Sequence, residues 1–107
     1  YAAKNLVAAG LAKECEVQLS YAIGSAEPAS LRVRTFGTGA ADDRQLTERV
    51  SEVIDFRLGG IVRNLKLQQL PSRHSGPFYQ QLAVYGHMGR IDLDVPWERT
   101  DKADALK

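Results

Sequence analysis

The sequence predicts an α/β fold of the α+β type, in which helices pack on one face of an antiparallel or mixed sheet. Two observations lead to this fold class. Residues 14–24 and 29–36 alternate apolar and polar side chains with a period of two, which is typical of half-buried strands. Residues 1–12 and 42–54 instead repeat apolar side chains at helical spacing. A length of 107 residues leaves room for a single domain.

The first half of the chain predicts a helix followed by a hairpin. Tyr1–Ala12 is rich in Ala and has apolar residues at helical spacing, with Gly10 where the last turn would loosen. Glu14–Gly24 predicts the first strand and Ala29–Phe36 the second. Between them, Ser25–Pro28 predicts a connection because proline cannot donate to a strand ladder. Two strands joined by so short a loop favour an antiparallel hairpin.

A second amphipathic helix is predicted after the glycines that end the hairpin. Asp42 followed by Gln45 resembles a capping box, which predicts the start of the helix. Its apolar residues fall on one face as far as Ile54. We expect this helix to stop before Gly59-Gly60, which we interpret as a turn.

The second half of the chain is less regular. A short helix or an irregular packed segment fits Ile61–Leu67, and a short helix or a strand fits Phe78–Tyr85. Proline and glycine predict a loop over Leu70–Pro77 and irregular structure over Gly86–Trp97. Either Thr100 or Asp101 can cap a final helix.

Composition excludes several classes of protein. Lys and Arg total 14 against 13 for Asp and Glu, so nucleic acid is not expected as a partner, since phosphate binding requires an excess of cations. The longest apolar run, Leu6–Ala12, is far shorter than the ~20 residues that cross a bilayer, so no membrane is expected either. The single cysteine, Cys15, excludes an internal disulfide and argues against a cysteine metal site. These features predict a soluble intracellular protein.

Few side chains are placed for catalysis. His74 and His87 have no metal-ligand spacing, and Asp92 and Asp94 near His87 fit a loop held by local hydrogen bonds better than a metal site. We expect Cys15, on the apolar side of a strand, to be a structural thiol. These residues by themselves give no self-contained active site.

The two faces of the predicted hairpin suggest contacts instead. Arg32, Arg34 and Phe36 share a face that could stack and bind a single-stranded nucleic acid, but the balanced charge favours a solvated or salt-bridged surface. The opposite face, over residues 17–23, is apolar enough to pack against a partner subunit. Because the sequence begins without Met, inside a predicted helix that lacks a cap, we expect it to be part of a longer polypeptide.

Whole strings of the sequence resemble the C-terminal domain of S-adenosylmethionine synthetases (methionine adenosyltransferases). Residues 1–12 are similar to the family's Y-A-A-K-N-x-V-A-A-G-L-A helix, and residues 18–28 to its Q-x-S-Y-A-I-G-x-A-E-P stretch. Thr35–Thr38 matches a T-F-G-T turn, and residues 85–103 match the closing motifs Y-G-H-x-G-R and P-W-E-x-T-D-K-A. The departures are Leu58 in place of Pro, Met88 in place of an aromatic and Arg99 in place of Lys.

The resemblance implies the following expectations. The family has three similar α/β domains and joins ATP to L-methionine, giving S-adenosylmethionine, phosphate and diphosphate, with Mg²⁺ and K⁺ as cofactors. Its active sites lie between two subunits, which implies a homodimer or tetramer that assembles here through the apolar sheet face. The resemblance also implies a cytoplasmic location. The family's phosphate-gripping G-G-x-F-S-x-K-D, His-Pro-Asp and G-D-Q-G motifs are absent from residues 1–107. We therefore expect the chain to contain no catalytic residue and no metal ligand, and to be catalytically incomplete alone.

One set of site residues follows from the resemblance. Ala22, Ile23 and Gly24 match a stretch that approaches the adenosine pocket in the family, with the isoleucine against the base. Ile23 equally fits the last core residue of its strand. Lys4, the one cation of the first helix, is expected to be structural. The alternative to a synthetase domain is a stand-alone binding or oligomerisation module of the same fold.

Overall fold

A computed structural model describes all 107 residues as two strands, six α-helices and one 3-10 turn. The predicted α+β fold class is confirmed. In chain order the elements are α1 (Ala2–Ala8), β1 (Glu16–Tyr21), β2 (Pro28–Arg34), α2 (Asp43–Val53), α3 (Leu58–Asn64), α4 (Leu70–Arg73), α5 (Phe78–Ala83), the 3-10 turn (Pro96–Glu98) and α6 (Ala103–Leu106). No helix combines the length and apolar character that crossing a membrane requires.

The sheet is the predicted antiparallel hairpin, with helices on one face. Val17 pairs with Val33 and Leu19 with Leu31, and these four side chains point toward the helices. The other face is polar and exposed, because the alternation that directs apolar residues inward directs polar ones outward. Pro28, predicted to lie in the connection, is instead the first residue of β2, where a missing N–H is tolerated.

Helix α2 lies against β2 and begins as predicted. The Asp42 carboxylate accepts a hydrogen bond from the backbone N–H of Arg44, the usual role of an N-cap side chain. The Thr47 hydroxyl accepts from the backbone N–H of Val33 at 3.1 Å, which joins the helix to the strand. Buried Leu46 and Val50 complete this contact with the sheet.

Helix α1 is shorter than the predicted Tyr1–Ala12 because Gly10 ends it. Gly10 has a φ of +76° and its N–H donates to the carbonyl of Val7, while the N–H of Leu11 donates to the carbonyl of Leu6. This pair of bonds defines a Schellman motif, in which a residue in the left-handed conformation closes the helix.

Three predictions for the second half were wrong. Gly59-Gly60 is not a turn but lies in the first turn of α3. The predicted loop over Leu70–Pro77 contains helix α4, because proline is tolerated in the first turn of a helix. Lys102, rather than Thr100 or Asp101, occupies the cap position of α6. The open alternative at Phe78–Tyr85 resolves as a helix, α5.

The chain has two hydrophobic clusters. The larger one joins α1, the sheet, α2 and α6 through Leu6, Val33, Leu46 and Leu106, together with smaller neighbours. The smaller one joins α4, α5 and the segment before the 3-10 turn, and consists of Leu70, Phe78, Leu82 and Val95.

Candidate adenosine-binding turn

The predicted site residues form the tip of the hairpin. Ala22, Ile23 and Gly24 are the first three residues of a β-turn that the Ser25 N–H closes on the Ala22 carbonyl at 3.1 Å. Gly24 has a φ of +86°, the conformation that the third position of a type II turn requires. Ile23 therefore occupies the apex of the turn.

Ile23 has no packing partner within the chain. Its relative exposure is 108%, the highest of any large apolar side chain here. The alternative that Ile23 is the last core residue of its strand is therefore wrong, because β1 ends at Tyr21. A side chain that folding leaves in water remains free to contact a ligand or a neighbouring domain.

The turn is held in place by contacts on both sides. The Tyr21 hydroxyl donates to the backbone carbonyl of Phe56 at 2.7 Å, which fixes the end of β1 against the segment before α3. The Leu58 N–H donates to the carbonyl of Ala26 at 3.1 Å, which fixes the start of the returning chain. The hairpin tip is thus a positioned turn with one exposed aliphatic side chain at its apex.

Two charged groups on the segment that anchors the turn, Asp55 and Arg57, neutralise each other. The Asp55 carboxylate accepts from the backbone N–H of Arg57 and from its Nε at 3.0 Å, and from its Nη2 at 2.8 Å. These hydrogen bonds lower the pKa of the Asp55 carboxyl to about 2 and raise the pKa of Arg57. The pair is therefore charged at neutral pH, but it offers no unpaired cation.

The apolar side of β1 is turned inward. Val17 and Leu19 are half-buried and line a groove of about 610 Å³ between α1, β1 and α3. The outer face of the sheet instead pairs Glu16 with Arg34 and Gln18 with Arg32 across the two strands. Ile23, which we grouped with the apolar face, lies beyond it. The exposed sheet surface is accordingly the polar face predicted from Arg32 and Arg34, and the use of the apolar face as a subunit contact stays a prediction.

The remaining candidate residues have structural contacts. The Arg34 guanidinium lies 4.8 Å from the centre of the Phe36 ring, so this aromatic face is already occupied by a cation. Burial raises the pKa of the Cys15 thiol, and Asp43 and Glu16 raise it further, which disfavours the nucleophilic thiolate. Lys4 pairs with Glu98 at 2.5 Å, in agreement with its expected structural role.

Three of the four residues considered for a metal site, His74, Asp92 and Asp94, bind protein groups instead. The ring nitrogens of His74 lie 2.8 Å from the carbonyl of Leu70 and 2.6 Å from that of Leu93. Asp92 pairs with Arg90 at 2.9 Å and Asp94 with Arg99 at 3.7 Å. Nowhere in the structure do three or more His, Cys, Asp or Glu side chains lie together as a metal site would require.

The sequence reasoning missed one buried polar residue, Asn5. Its side-chain amide donates to the carbonyls of Tyr1 and Arg99, and its Oδ1 accepts from the N–H of Lys102. These bonds join α1 to the C-terminal segment. The available signal was an asparagine on the same helical face as Ala2 and Ala9, where a polar side chain needs buried partners.

Comparison with known proteins gives a consistent result. The family model described as "S-adenosylmethionine synthetase, C-terminal domain" matches residues 1–99. S-adenosylmethionine synthases of Crocosphaera subtropica and Rippkaea orientalis are 60% and 58% identical over all 107 residues, which cover 26% and 25% of those proteins. The chain thus spans about a quarter of the length of these relatives.

A solved structure is similar as well. It is described as the structure of an unusual S-adenosylmethionine synthetase from Campylobacter jejuni, with a TM-score of 0.86 and 39% sequence identity. The match covers 99% of this chain and 27% of that protein, so the likeness is again to one part of a longer polypeptide.

Proposed function

The chain belongs to the S-adenosylmethionine synthetase family as a C-terminal domain, and from this premise we propose that residues 1–107 serve a longer polypeptide that makes S-adenosylmethionine. In the proposed reaction the sulfur of L-methionine attacks C5′ of the ATP ribose and triphosphate leaves. Water then cleaves the triphosphate into phosphate and diphosphate. The support is identity of 60% over the whole chain to a relative named as a synthase.

The proposed contribution of this domain is one wall of the adenosine pocket, formed by Ala22, Ile23 and Gly24. The observation that supports it is the complete exposure of Ile23 at the apex of an anchored turn. An aliphatic side chain offers a flat apolar contact to a purine ring, and burying it against the ring removes both surfaces from water. Gly24, beside it, adds no side chain that would keep a planar base away.

Mg²⁺ and K⁺ would stabilise the polyphosphate leaving group, as cations do in phosphate chemistry. The residues of this chain do not fit such a site, because no cluster of three or more metal-ligating side chains is present. We therefore assign the metal ligands and the triphosphate-binding groups to the rest of the polypeptide. Homo-oligomeric assembly and a cytoplasmic location remain part of the proposal.

The experiment uses the full-length synthetase that carries this domain. Replacing Ile23 by Ala removes three carbons; with about 0.8 kcal/mol per buried carbon and contact on one side only, the loss is about 1 kcal/mol. We expect the KM for ATP to rise about fivefold, with the KM for methionine unchanged. Leu58→Ala is the matched control, since it shortens a half-exposed isomer of isoleucine away from the turn apex and keeps the backbone N–H that bonds to Ala26.

Two results would contradict the proposal for Ile23. One is an unchanged KM for ATP in the Ile23→Ala enzyme, and the other is an equal rise in the Leu58→Ala enzyme. The 107-residue chain assayed alone with ATP and methionine is expected to give no S-adenosylmethionine; turnover by the chain alone would refute the assignment of the catalytic groups to the rest of the polypeptide.

A further inference from the structure

A second exposed apolar surface lies far along the chain from the hairpin tip, in the segment between α5 and the 3-10 turn. We call residues 84–91 of this segment the 84–91 loop. It contains Tyr85, Ile91 and Met88, with relative exposures of 100%, 94% and 75%. Apart from Ile23, these are the most exposed large apolar side chains of the molecule. Folding of this chain alone leaves all three in water.

The loop is built as a fixed structure. Arg90 Nη1 lies 3.0, 2.8 and 3.0 Å from the carbonyl oxygens of Leu82, Val84 and Gly86. Its Nε and Nη2 donate to the two carboxylate oxygens of Asp92 at 3.0 and 2.9 Å. A planar guanidinium with all these partners holds the backbone around it in one shape.

The 84–91 loop is also tied to the rest of the fold. The Trp97 indole N–H donates to the carbonyl of His87 at 2.8 Å. The Glu98 carboxylate accepts from the N–H of Gly89 and from Lys4 of α1. The hydrogen bond from Lys4 lowers the pKa of the Glu98 carboxyl, so this link is charged at neutral pH. The exposed side chains are therefore presented from a supported position.

The backbone conformation of Tyr85 also favours a partner for the 84–91 loop. Its φ is +67°, in the left-handed region that a residue with a large side chain adopts unfavourably. Within this chain the strained residue gains no burial, since its side chain remains in water. A contact outside these residues would compensate both the strain and the exposure.

We propose that the 84–91 loop is a preformed contact surface for another domain of the same polypeptide. A tyrosine buries at most about 250 Å², so three side chains of that size stay below the ~800 Å² per partner of a standard interface between separate proteins. Covalent linkage raises the effective concentration, so a smaller contact suffices between domains of one chain. In the relative from Crocosphaera subtropica the matched residues make up 26% of the protein. About three quarters of that polypeptide therefore lies outside this domain and is available for the contact.

The first test is photo-crosslinking in the full-length synthetase that carries this domain. The photoreactive amino acid p-benzoylphenylalanine replaces Tyr85, and the irradiated protein is separated by mass and mapped by peptide mass spectrometry. The proposal expects crosslinks from position 85 to residues preceding this domain, in a product of single-chain mass. A crosslinked product of double mass identifies a second copy as the occupant and overturns the proposal, as does the absence of any crosslink.

The second test uses Met88, the one methionine of these residues. Oxidation of methionine by dilute hydrogen peroxide follows its exposure, so Met88 is expected to oxidise at least about fivefold more slowly in the folded full-length protein than in the same protein unfolded in urea. Ile91→Asp places a charge in the contact and is expected to remove most of this protection. Leu58→Asp, at an exposed leucine elsewhere, is the matched control and should keep it.

Equal oxidation of Met88 in folded and unfolded protein would overturn the proposal. So would full protection in the Ile91→Asp variant. Should that variant fail to fold, Ile91→Ala provides the same comparison with a smaller expected loss of protection. Neither readout depends on ATP or methionine, so a failure here is distinguishable from a failure of the proposed contact between Ile23 and adenosine.

Discussion

Two adjacent glycines of α3 should respond in opposite ways to the same substitution. At Gly59 an added Cβ would meet no atom within 4 Å. At Gly60 it would lie 2.2 Å from Oδ2 and 2.4 Å from Cγ of Asp55, well inside van der Waals contact. Because both residues lie in the first turn of the same helix, the difference between their alanine variants isolates the contact with Asp55.

The magnitude follows from two opposing effects. Replacing glycine by alanine in a helix stabilises it by about 0.5–1 kcal/mol, because alanine loses less backbone entropy on folding. Gly59→Ala should keep this gain. At Gly60 the methyl group enters occupied space, which typically costs about 1–3 kcal/mol. We therefore expect Gly60→Ala to be less stable than Gly59→Ala by about 1–3 kcal/mol.

The assay is urea-induced unfolding followed by far-ultraviolet circular dichroism, with both variants and the parent protein compared at neutral pH. A parallel NMR titration of the Asp55 carboxyl reports the local change. If the methyl group displaces the carboxylate from Arg57, its pKa should return toward 3.8 from about 2. Equal stability of the two variants, or a more stable Gly60→Ala, would refute the packing argument.

Two further predictions concern buried and charged contacts. Asn5→Ala leaves the carbonyl of Arg99 and the N–H of Lys102 without their partner, and should lower the free energy of unfolding by about 2–4 kcal/mol in the same urea assay; a change below ~0.5 kcal/mol would contradict it. Folding lowers the pKa of Asp55 from 3.8 to about 2, so its ionised form stabilises the fold above about pH 4 and that contribution is lost as the pH falls toward 2. The free energy of unfolding should thus fall more steeply over this interval in the parent protein than in Asp55→Asn, and parallel pH profiles would disprove the link.

The hairpin and α2 are predictable because their determinants are local. Alternation of side chains assigns the two faces of β1 and β2 before any tertiary contact is known. In the same way, Asp42 needs only the N–H of Arg44, two residues along the chain, to begin α2. For these elements, whose structure depends on residues close together in sequence, the prediction was confirmed.

The errors arise where side-chain contacts override a local backbone preference. Gly59-Gly60 indicates a turn on propensity alone, yet both glycines lie in the first turn of α3, where the Asp55 carboxylate occupies the space that a Cβ at position 60 would need. Leu70–Arg73 is helical although it contains Pro71, since Leu70 buries its side chain in the smaller cluster. Rules based on the spacing of residues in the sequence do not predict these contacts.

The exposed apolar residues mark the limit of what one domain reveals about itself. Periodicity placed Ile23 on the apolar face of a strand. Whether such a side chain lies in the core or on the surface, however, depends on where the strand ends. At Ile23 and at Tyr85 the chain fixes the backbone with hydrogen bonds while leaving the side chain uncovered. Holding a large apolar side chain in water gives the isolated domain no stability, which supports the proposed contacts outside these residues at both positions. For Ile23 that contact is the proposed base of ATP, and for Tyr85 the proposed neighbouring domain; the tests separate the two because only the first depends on a nucleotide.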